Sequence, residues 1–231
     1  MTTQPEFDRY SGSYEDLLKD PIRESFAGSS AFFHLRKRDL IREYFRRRRR
    51  NTHAMRYLDF GCGKGELLSL IGADFAYATG CDPSSGMLES AHGFPVRVQE
   101  EPGRIPFDDA QFDFVTAVCV YHHVPREQRA SLTAEVRRVL RPGGMFAVIE
   151  HNPYNPATRI IVRRTPVDAD AVLLPASETR SMLNTSGFSI DWSCYFLYLP
   201  ERLYRRVAGV EKVLRRVPLG GQYAVFGQRE G

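Results

Sequence analysis

The sequence has few of the features that mark secreted, metal-clustered or membrane-spanning proteins. No apolar run in its 231 residues approaches the roughly 20 residues that a membrane-spanning helix needs. Its four cysteines lie far apart and form no Cys-x-x-Cys pair, so we expect buried, reduced thiols and no bound metal. The polar N-terminus, Met1 to Tyr10, lacks the apolar region of a signal peptide. We therefore expect a cytoplasmic protein.

Lysine is also scarce, and the net charge is only +4. Of the 32 basic residues, 28 are arginine and four are lysine. The run Arg46 to Arg50 is the densest cluster, and it has no interleaved aromatic side chains, which makes it weak evidence for a nucleic-acid partner. A solvated helix end, where positive charge is favoured, is the better interpretation.

The chain divides into two regions by pattern. Residues 1–50 carry apolar side chains at helical spacing, such as Phe33, Leu40 and Tyr44, and are predicted to form an N-terminal helical cap. Residues 51–231 are predicted to form the main domain. Within its first hundred residues, short apolar runs alternate with helix-like stretches, and this order favours an α/β fold with a mostly parallel sheet and helices on both faces.

The chemistry-bearing motif is a glycine-rich turn after the first predicted strand. The residues Asp59-Phe60-Gly61-Cys62-Gly63-Lys64-Gly65 lead from a strand into a helix. Glycines let the backbone approach a ligand closely, and ligands of open α/β sheets bind beyond the carboxyl ends of strands. Asp82 ends the next strand, 21 residues after Gly61, where a carboxylate can accept hydrogen bonds from ribose hydroxyls. Helix capping is the alternative role for Asp82, but Ser84 and Ser85 can fill it.

These residues resemble motif I of the class I S-adenosylmethionine (SAM) dependent methyltransferases. Further matches follow in the family's order: Ile105-Pro106-Phe107 with Phe112-Asp113, then Val120-Tyr121-His122-His123-Val124, then Arg138 to Gly144. The resemblance covers roughly residues 55–150 and is closest to the ubiquinone/menaquinone-type branch. It implies a Rossmann-like seven-stranded sheet of order 3-2-1-4-5-7-6, a helical lid, and SAM as the cofactor.

The resemblance also implies a set of cofactor contacts. Asp59 is expected to orient the methionine amino group, Asp82 the ribose, and Lys37 is a candidate partner of the SAM carboxylate, with a solvated helix face as its alternative. Glu101 is expected near the adenine, although the family's usual Asp-Ala is replaced here by Glu-Glu-Pro-Gly. The other expected contacts are Gly61, Cys62, Gly63, Gly65, Pro83, Met87, Cys119 and Tyr10.

Methyl transfer from SAM requires alignment of an acceptor and, for a protonated acceptor, removal of its proton. His122 and His123 follow the strand whose end is expected to face the methyl group. We predict His123 as the base and His122 as a substrate contact, with packing or capping as the alternative for either. Tyr14, in a start that resembles the family's N-terminal segment, is the second predicted catalytic residue, and His151 is a further substrate contact.

Two segments, about residues 152–176 and 200–218, are predicted lid insertions. Asn152, Tyr154 and Arg159 are expected to contact the substrate, although a surface role is an equal alternative for Arg159. The second segment contains a basic amphipathic helix, residues 200–217. It is interpreted either as a lid packed on the core, which we favour, or as a peripheral contact with an anionic membrane.

Together these features predict a SAM-dependent methyltransferase acting on an oxygen or nitrogen atom of a small molecule, such as a sugar or a secondary metabolite. The alternatives are a protein of this fold without methyl transfer, either cyclase-like or regulatory, and a nucleic-acid methyltransferase. The sequence sets neither the acceptor nor the oligomeric state.

Overall fold

The computed structural model describes residues 6–231 and contains one seven-stranded sheet of order β3-β2-β1-β4-β5-β7-β6. The predicted strand order is therefore confirmed. The strands are β1 (Arg56–Phe60), β2 (Tyr77–Asp82), β3 (Val96–Val98), β4 (Phe112–Val118), β5 (Leu140–His151), β6 (Phe188–Phe196) and β7 (Gln222–Arg229). Neighbouring strands from β3 to β5 pair in parallel, whereas β7 runs antiparallel to both β5 and β6.

Nine α-helices connect and cover the strands of the described residues. They are α1 (Tyr14–Leu17), α2 (Pro21–Phe26), α3 (Ser30–Arg48), α4 (Glu66–Ile71), α5 (Ser85–Leu88), α6 (Arg126–Val139), α7 (Pro156–Arg164), α8 (Ala176–Thr185) and α9 (Glu201–Leu214). Short 3₁₀ turns lie at Glu6–Arg9, Thr52–Ala54, Gly72–Asp74, Tyr121–His123 and Pro166–Asp168. Within residues 6–231, no helix combines the length and the apolar character that crossing a membrane requires.

The sheet has a buried core on each face because its central strands carry near-continuous apolar side chains. On one face, Tyr57 stacks between Phe75 and Phe114, with ring centroids 4.8 and 5.4 Å apart, and α3 and α4 complete the core. On the other face, α6 and α8 pack against residues such as Leu58 and Val115. This double covering fixes the strand ends that carry the candidate site.

The predicted N-terminal cap corresponds, in its described part, to the first 3₁₀ turn and helices α1 to α3; residues 1–5 lie outside the described chain. The arginine run lies at the C-terminal end of α3 and is exposed, as expected for a solvated helix end. Arg48 pairs with Asp191 at 2.7 Å and Arg47 with Glu43 at 2.6 Å. These contacts tie the end of α3 to the sheet and to its own preceding turn.

The predicted lid segments contain α7 and α9. Helix α9 packs against α3 through Tyr204, whose ring lies 5.9 Å from that of Phe32, and not through the apolar face that its sequence pattern marks. Leu203, Val207 and Val210 are exposed, whereas the inward residues are Tyr204 and Glu211. Glu211 is buried against Arg36 of α3, and the guanidinium of Arg36 lies 3.7 Å from the centroid of the Tyr204 ring. A buried ion pair and a cation–π contact thus accompany this packing.

Candidate active site

A single large cavity lies beyond the carboxyl ends of the central strands. Its volume is about 1520 Å³, and it is lined by the turns that follow β1, β2 and β4 and by the end of β5. Residues of the N-terminal cap, of α7 and of the segment before α9 cover it from the other side. The topology therefore brings the glycine-rich turn and the histidines into one space.

The glycine-rich turn has a backbone that only glycine adopts readily. Gly61, Gly63 and Gly65 have φ angles of +68°, +52° and +75°. A Cβ atom on Gly61 would also lie 2.5 Å from Cγ2 of Val120. The backbone N–H groups of Gly61 and Cys62 donate to the carbonyl of Cys81, which fastens the turn to the end of β2. The motif is thus required by the local geometry as well as by ligand approach.

Asp82 connects the end of β2 to this turn. Its carboxylate accepts hydrogen bonds from the backbone N–H groups of Gly63 and Ser84, each at 2.9 Å. Helix α5 is capped instead by the hydroxyl of Ser84, which accepts from the N–H of Met87. Asp82 lines the cavity. Ser84 caps α5 in its place, as the sequence suggested.

Asp59 and Lys37 are both buried, and both line the cavity. The carboxylate of Asp59 accepts a hydrogen bond from Thr116 at 2.7 Å, and burial raises its pKa to about 7. Lys37 belongs to α3. A buried ammonium facing open space favours a carboxylate ligand.

The structure places most of the predicted cofactor contacts on the cavity wall. Asp59, Gly61, Cys62, Gly63, Asp82, Pro83, Met87, Cys119 and Lys37 all line it. Gly65 does not, because it caps α4 and faces Ala91. Tyr10 is turned toward Phe7 and lies outside the lining. Glu101 is exposed, and its neighbours Glu100 and Pro102 take its place on the wall.

At the other end of the cavity lies a group of four side chains that we call the histidine cluster: His122, His123, Glu150 and Asp168. Glu150 is fully buried at the end of β5 and accepts hydrogen bonds from the backbone N–H groups of Val120 and Tyr121 at 2.9 and 2.7 Å. Its second oxygen lies 2.6 Å from Nδ1 of His122. Glu150 thus fixes both the turn after β4 and the orientation of the His122 ring.

The two histidines have opposite electrostatic environments. Burial acts to lower the pKa of His122, but the charges of Glu150 and Asp168 outweigh it and raise the pKa to about 10. For His123, burial and the neighbouring His122 lower the pKa to about 4. His123 is therefore neutral near neutral pH, whereas His122 is protonated. Of the pair, His123 is the one with a free lone pair, in keeping with its predicted role as base.

Three further predicted residues, Tyr14, Cys119 and His151, line the cavity. Burial raises the pKa of the Tyr14 hydroxyl, so this residue is a hydrogen-bond donor rather than a phenolate. For Cys119, burial acts to raise the pKa, but Lys37 and His151 bring it to about 7. The thiol of Cys119 therefore lies in a positive environment between the two ends of the cavity.

The remaining substrate predictions are not placed at the cavity. Asn152 is buried, but its side-chain amide donates to the carbonyls of Pro218 and Gly220, so it has a structural role. Tyr154, which precedes α7, and Arg159, on α7, are exposed and lie outside the lining.

Sequence reasoning missed two residues that line the cavity, Asp168 and Gln222, and one that supports His122 from behind, Glu150. Asp168 lies in the Pro166–Asp168 turn, about 45 positions after the histidines, and no local pattern marks it. Glu150 could have been found as a carboxylate at a predicted strand end. Gln222 starts β7, and its buried side-chain oxygen has no hydrogen-bond partner among the described residues.

The covering helices give the cavity an apolar part, which we call the apolar wing. It is formed by Ile22, Phe26, Phe33, Ile161, Val162 and Leu197. These side chains belong to α2, α3, α7 and the segment that follows β6. A ligand that fills this wing must present apolar surface to it.

Comparison with known proteins agrees with this geometry. Residues 58–148 match a family described as a methyltransferase domain. An uncharacterized methyltransferase of Synechocystis is 30% identical over 141 residues, which cover 58% of this chain and 66% of that protein. The matched region, residues 58–148, is a methyltransferase domain of the class I SAM-dependent type. The cofactor of this family is SAM, and the matched region contains both the glycine-rich turn and the β4 exit.

Solved structures of methyltransferases share the fold over nearly the whole chain. A SAM-dependent methyltransferase of Thermotoga maritima, described as a possible histamine N-methyltransferase, has a TM-score of 0.67 and 18% identity and covers 97% of this chain and 98% of its own. The [4+2]-cyclase SpnF has a TM-score of 0.64 and 17% identity, with 97% and 93% coverage. At these identities the likeness shows the fold alone.

The branch of the family is less sharply defined. The chain spans 66%, 37% and 27% of the first three curated relatives. Other relatives carry the names of tRNA and ubiquinone/menaquinone methyltransferases. The comparisons therefore establish the methyltransferase class, while the ubiquinone/menaquinone-type assignment remains a prediction.

Proposed function

We propose that this chain transfers the methyl group of SAM to an oxygen or nitrogen atom of a small, largely apolar molecule. The observation that carries the proposal is that one cavity is lined by the glycine-rich turn, by His122, His123 and Asp168, and by the apolar wing. Its volume of about 1520 Å³ exceeds the roughly 300–1,000 Å³ of ordinary ligand pockets. That space suits a cofactor and an acceptor together. Of the two acceptor classes predicted, the apolar wing favours a secondary metabolite over a sugar.

The residues of each end have separate tasks in this proposal. Bound SAM supplies a methyl group on a positively charged sulfur. The acceptor attacks the methyl carbon in line with the carbon–sulfur bond, and the sulfur is the leaving group. Asp82 accepts hydrogen bonds from the ribose, while Asp59 and Lys37 bind the amino and carboxylate groups of the methionine portion. The histidine cluster assists loss of the acceptor's proton, with His123 and Tyr14 as the predicted catalytic residues.

The N-terminal cap excludes water from the reacting groups. The carboxylate of Asp8 accepts hydrogen bonds from the hydroxyl of Ser84 at 2.6 Å and from the N–H of Gly86 at 3.1 Å. These contacts hold the Glu6–Arg9 turn against α5, and Phe7 packs edge-on against His123 at 4.9 Å. A closed cap strengthens electrostatic interactions inside the cavity and limits loss of the methyl group to water.

A protein of this fold that does not transfer methyl is the second candidate, since a cyclase shares the fold. Binding of SAM is expected for both candidates, so only turnover separates them. The decisive assay incubates the full chain with methyl-labelled SAM and a panel of acceptors. The panel pairs apolar phenols, alcohols and amines with sugars of matched functional groups.

We expect label in an apolar acceptor together with an equal amount of S-adenosylhomocysteine. The Asp82→Asn variant should lose this activity, and Asp170→Asn, an exposed change outside the cavity, should keep it. Label in sugars alone would contradict the proposed acceptor class. Cofactor binding with no turnover across the panel would favour the alternative without methyl transfer.

A further inference from the structure

The histidine cluster has a second feature that proton transfer alone does not require. Ligand atoms of His122, His123 and Asp168 lie close to one another. Oδ1 of Asp168 lies 3.5 Å from Nε2 of His122 and 3.4 Å from Nε2 of His123. The three atoms lie within 4.8 Å of one another. Charge-assisted hydrogen bonds are shorter, about 2.7–2.9 Å, so these separations leave the atoms grouped but not closely bonded.

These spacings match the ligands of a metal ion. Zinc binds imidazole nitrogen and carboxylate oxygen at about 2.0–2.2 Å, and tetrahedral geometry then separates neighbouring ligand atoms by roughly 3.3–3.6 Å. Both separations at Asp168 fall within this range. Divalent transition-metal ions also bind to two imidazoles and one carboxylate, and these three ligands leave further coordination positions of the ion open.

Glu150 supplies the outer support that such sites commonly contain. Its oxygen lies 2.6 Å from Nδ1 of His122, on the opposite side of the ring from Asp168. In the metal-free protein both ring nitrogens of His122 are protonated, and binding of an ion at Nε2 displaces the Nε2 proton to solvent. Glu150 then holds the remaining proton on Nδ1. A carboxylate behind a ligating histidine fixes the tautomer and the ring orientation.

We propose that His122, His123 and Asp168 bind a divalent transition-metal ion, with zinc the best match to the donor set. This departs from the expectation of no bound metal, because the ligands come from two turns about 45 positions apart and no local spacing reveals them. His123 and Asp168 both line the cavity, so the open position of the ion faces the acceptor space.

The catalytic consequence rests on the proposed function, whereas ion binding itself does not. An acceptor hydroxyl at the open position would lose its proton to water more readily. Its oxygen then forms a bond to the methyl carbon as the carbon–sulfur bond breaks, and S-adenosylhomocysteine leaves. In this arrangement His123 acts as a ligand, and the ion replaces it as the group that assists proton loss.

The test uses the full chain without an affinity tag, so that no added histidines bind metal. The protein is freed of metal with a chelator, and Zn²⁺ and Co²⁺ are then titrated while calorimetry and visible absorption are recorded. We expect one ion per chain and a cobalt spectrum of nitrogen and oxygen ligands. A cobalt–thiolate band would instead place the ion on Cys119 and contradict the proposed ligands.

Two variants and a matched control complete the test. Asp168→Asn removes a ligand, and Glu150→Gln removes the outer support; we expect affinity to fall at least tenfold in the first and about 10–100-fold in the second. Asp170→Asn, exposed on the same segment, should bind as the wild type does. Equal affinity in Asp168→Asn, or no stoichiometric binding by the wild type, would overturn the proposal.

Titration of S-adenosylhomocysteine into the same samples separates this proposal from the proposed function. Cofactor binding without metal binding would overturn the metal site alone. Metal binding without cofactor binding would overturn the proposed function and leave the metal site standing.

A separate observation concerns the outward surface of α9 and the turn after it. Its exposed apolar residues are Leu203, Val207, Val210, Val213, Val217 and Leu219. Val213 is 81% exposed. Isolated exposed apolar residues are ordinary, but six within seventeen positions are a dense group of the kind that marks an interaction site, although the helix is kinked at Val207. We call this patch the α9 surface.

Basic side chains flank the α9 surface. Arg202, Arg205, Arg206, Lys212 and Arg216 are exposed. Arg205 pairs with Glu201 at 2.6 Å, while the other four make no ion pair within residues 6–231. Glu211 is buried against Arg36 and does not offset this outward charge. An apolar strip beside a basic strip suits an anionic membrane surface.

We infer that the α9 surface binds an anionic lipid bilayer peripherally. Tyr198 and Pro200, which line the cavity, directly precede α9, so the cavity wall is continuous with this surface. An apolar acceptor dissolved in the bilayer would then have a short route to the apolar wing. That last consequence depends on the proposed function, but lipid binding does not.

Co-sedimentation with vesicles tests this inference. We expect the full chain to bind phosphatidylglycerol vesicles at low salt, with weaker binding at high salt and at least tenfold weaker binding to phosphatidylcholine vesicles. Val213→Glu should weaken binding at least tenfold, and Val172→Glu, an equally drastic change at an exposed site elsewhere, should not. Equal binding to both lipids, or no binding, would overturn the inference. So would a stable dimer in light scattering that Val213→Glu dissociates, since a second copy would then cover the patch.

Discussion

The two ends of the cavity are built in different ways. The glycine-rich end comes from residues 59–65 and 82–84, and backbone hydrogen bonds such as those from Gly61 and Cys62 to Cys81 hold it together. The histidine end draws on the turn after β4, the end of β5, the Pro166–Asp168 turn and the N-terminal Phe7. One end is a local structure, and the other depends on the packing of distant segments. The glycine-rich end suits binding of a cofactor that the whole family shares, and the histidine end suits recognition of a particular acceptor.

The largest expected effect separates the two ends by function. His123→Gln should lower the rate of methyl transfer by about 10²–10⁴-fold, because it removes either a base or a metal ligand at the reacting group. Affinity for S-adenosylhomocysteine should not change, and His92→Gln, an exposed control, should alter neither. An equal loss of cofactor affinity in His123→Gln would show that the two ends are not independent.

The converse change is Gly61→Val in the glycine-rich turn. A left-handed backbone costs an L residue about 1–2 kcal/mol, and the new side chain would also collide with Val120. We expect affinity for S-adenosylhomocysteine, measured by calorimetry, to fall at least about 100-fold. Gly209→Ala, where the added carbon meets nothing within 4 Å, is the control. Unchanged affinity in Gly61→Val would remove the turn from the cofactor site.

Lys37 tests whether α3 of the cap completes the glycine-rich end. Lys37→Met keeps the apolar stem and removes the charge, and loss of one charge-assisted hydrogen bond should weaken cofactor binding by roughly 10–100-fold. Lys19→Met, which alters an exposed lysine paired with Asp16, should have no effect. Cofactor affinity that is the same in Lys37→Met and the wild type would mean that Lys37 does not bind the carboxylate of the cofactor.

Asp59 predicts a pH dependence of cofactor binding. Its pKa of about 7 means that the free protein carries a neutral carboxyl below that pH and a carboxylate above it. The carboxylate is the form that binds an ammonium group, so affinity should fall about tenfold as the pH decreases from about 8 to 6. Calorimetry across this window should show a shallower change in Asp59→Asn. The same profile in both proteins would mean that Asp59 does not bind the amino group.

The glycine-rich end was predictable from sequence because it is local. A strand, three glycines and a carboxylate at the next strand end are visible within 25 residues, and the strand order follows from the resemblance. Gly65 was misplaced because it shares the pattern of its neighbours, although its backbone serves to begin α4.

Only part of the histidine end could be predicted from the sequence. His122 and His123 stand out beside a strand, but Asp168 reaches them only through the path of the chain around α7. The face through which α9 packs was hidden for a related reason. Its amphipathic pattern indicated which residues share a face, yet the position of Arg36 on α3 decided that Glu211 and Tyr204 face inward.

Titration calorimetry of S-adenosylhomocysteine tests the central claim most directly, since the account begins with a SAM site between the glycine-rich turn and Asp82. We predict one binding site per wild-type chain and at least tenfold weaker binding to Asp82→Asn, whose side chain still accepts a hydrogen bond but carries no charge. Asp170→Asn should bind as the wild type does. The absence of binding to the wild type, or equal binding to wild type and Asp82→Asn, would contradict the account.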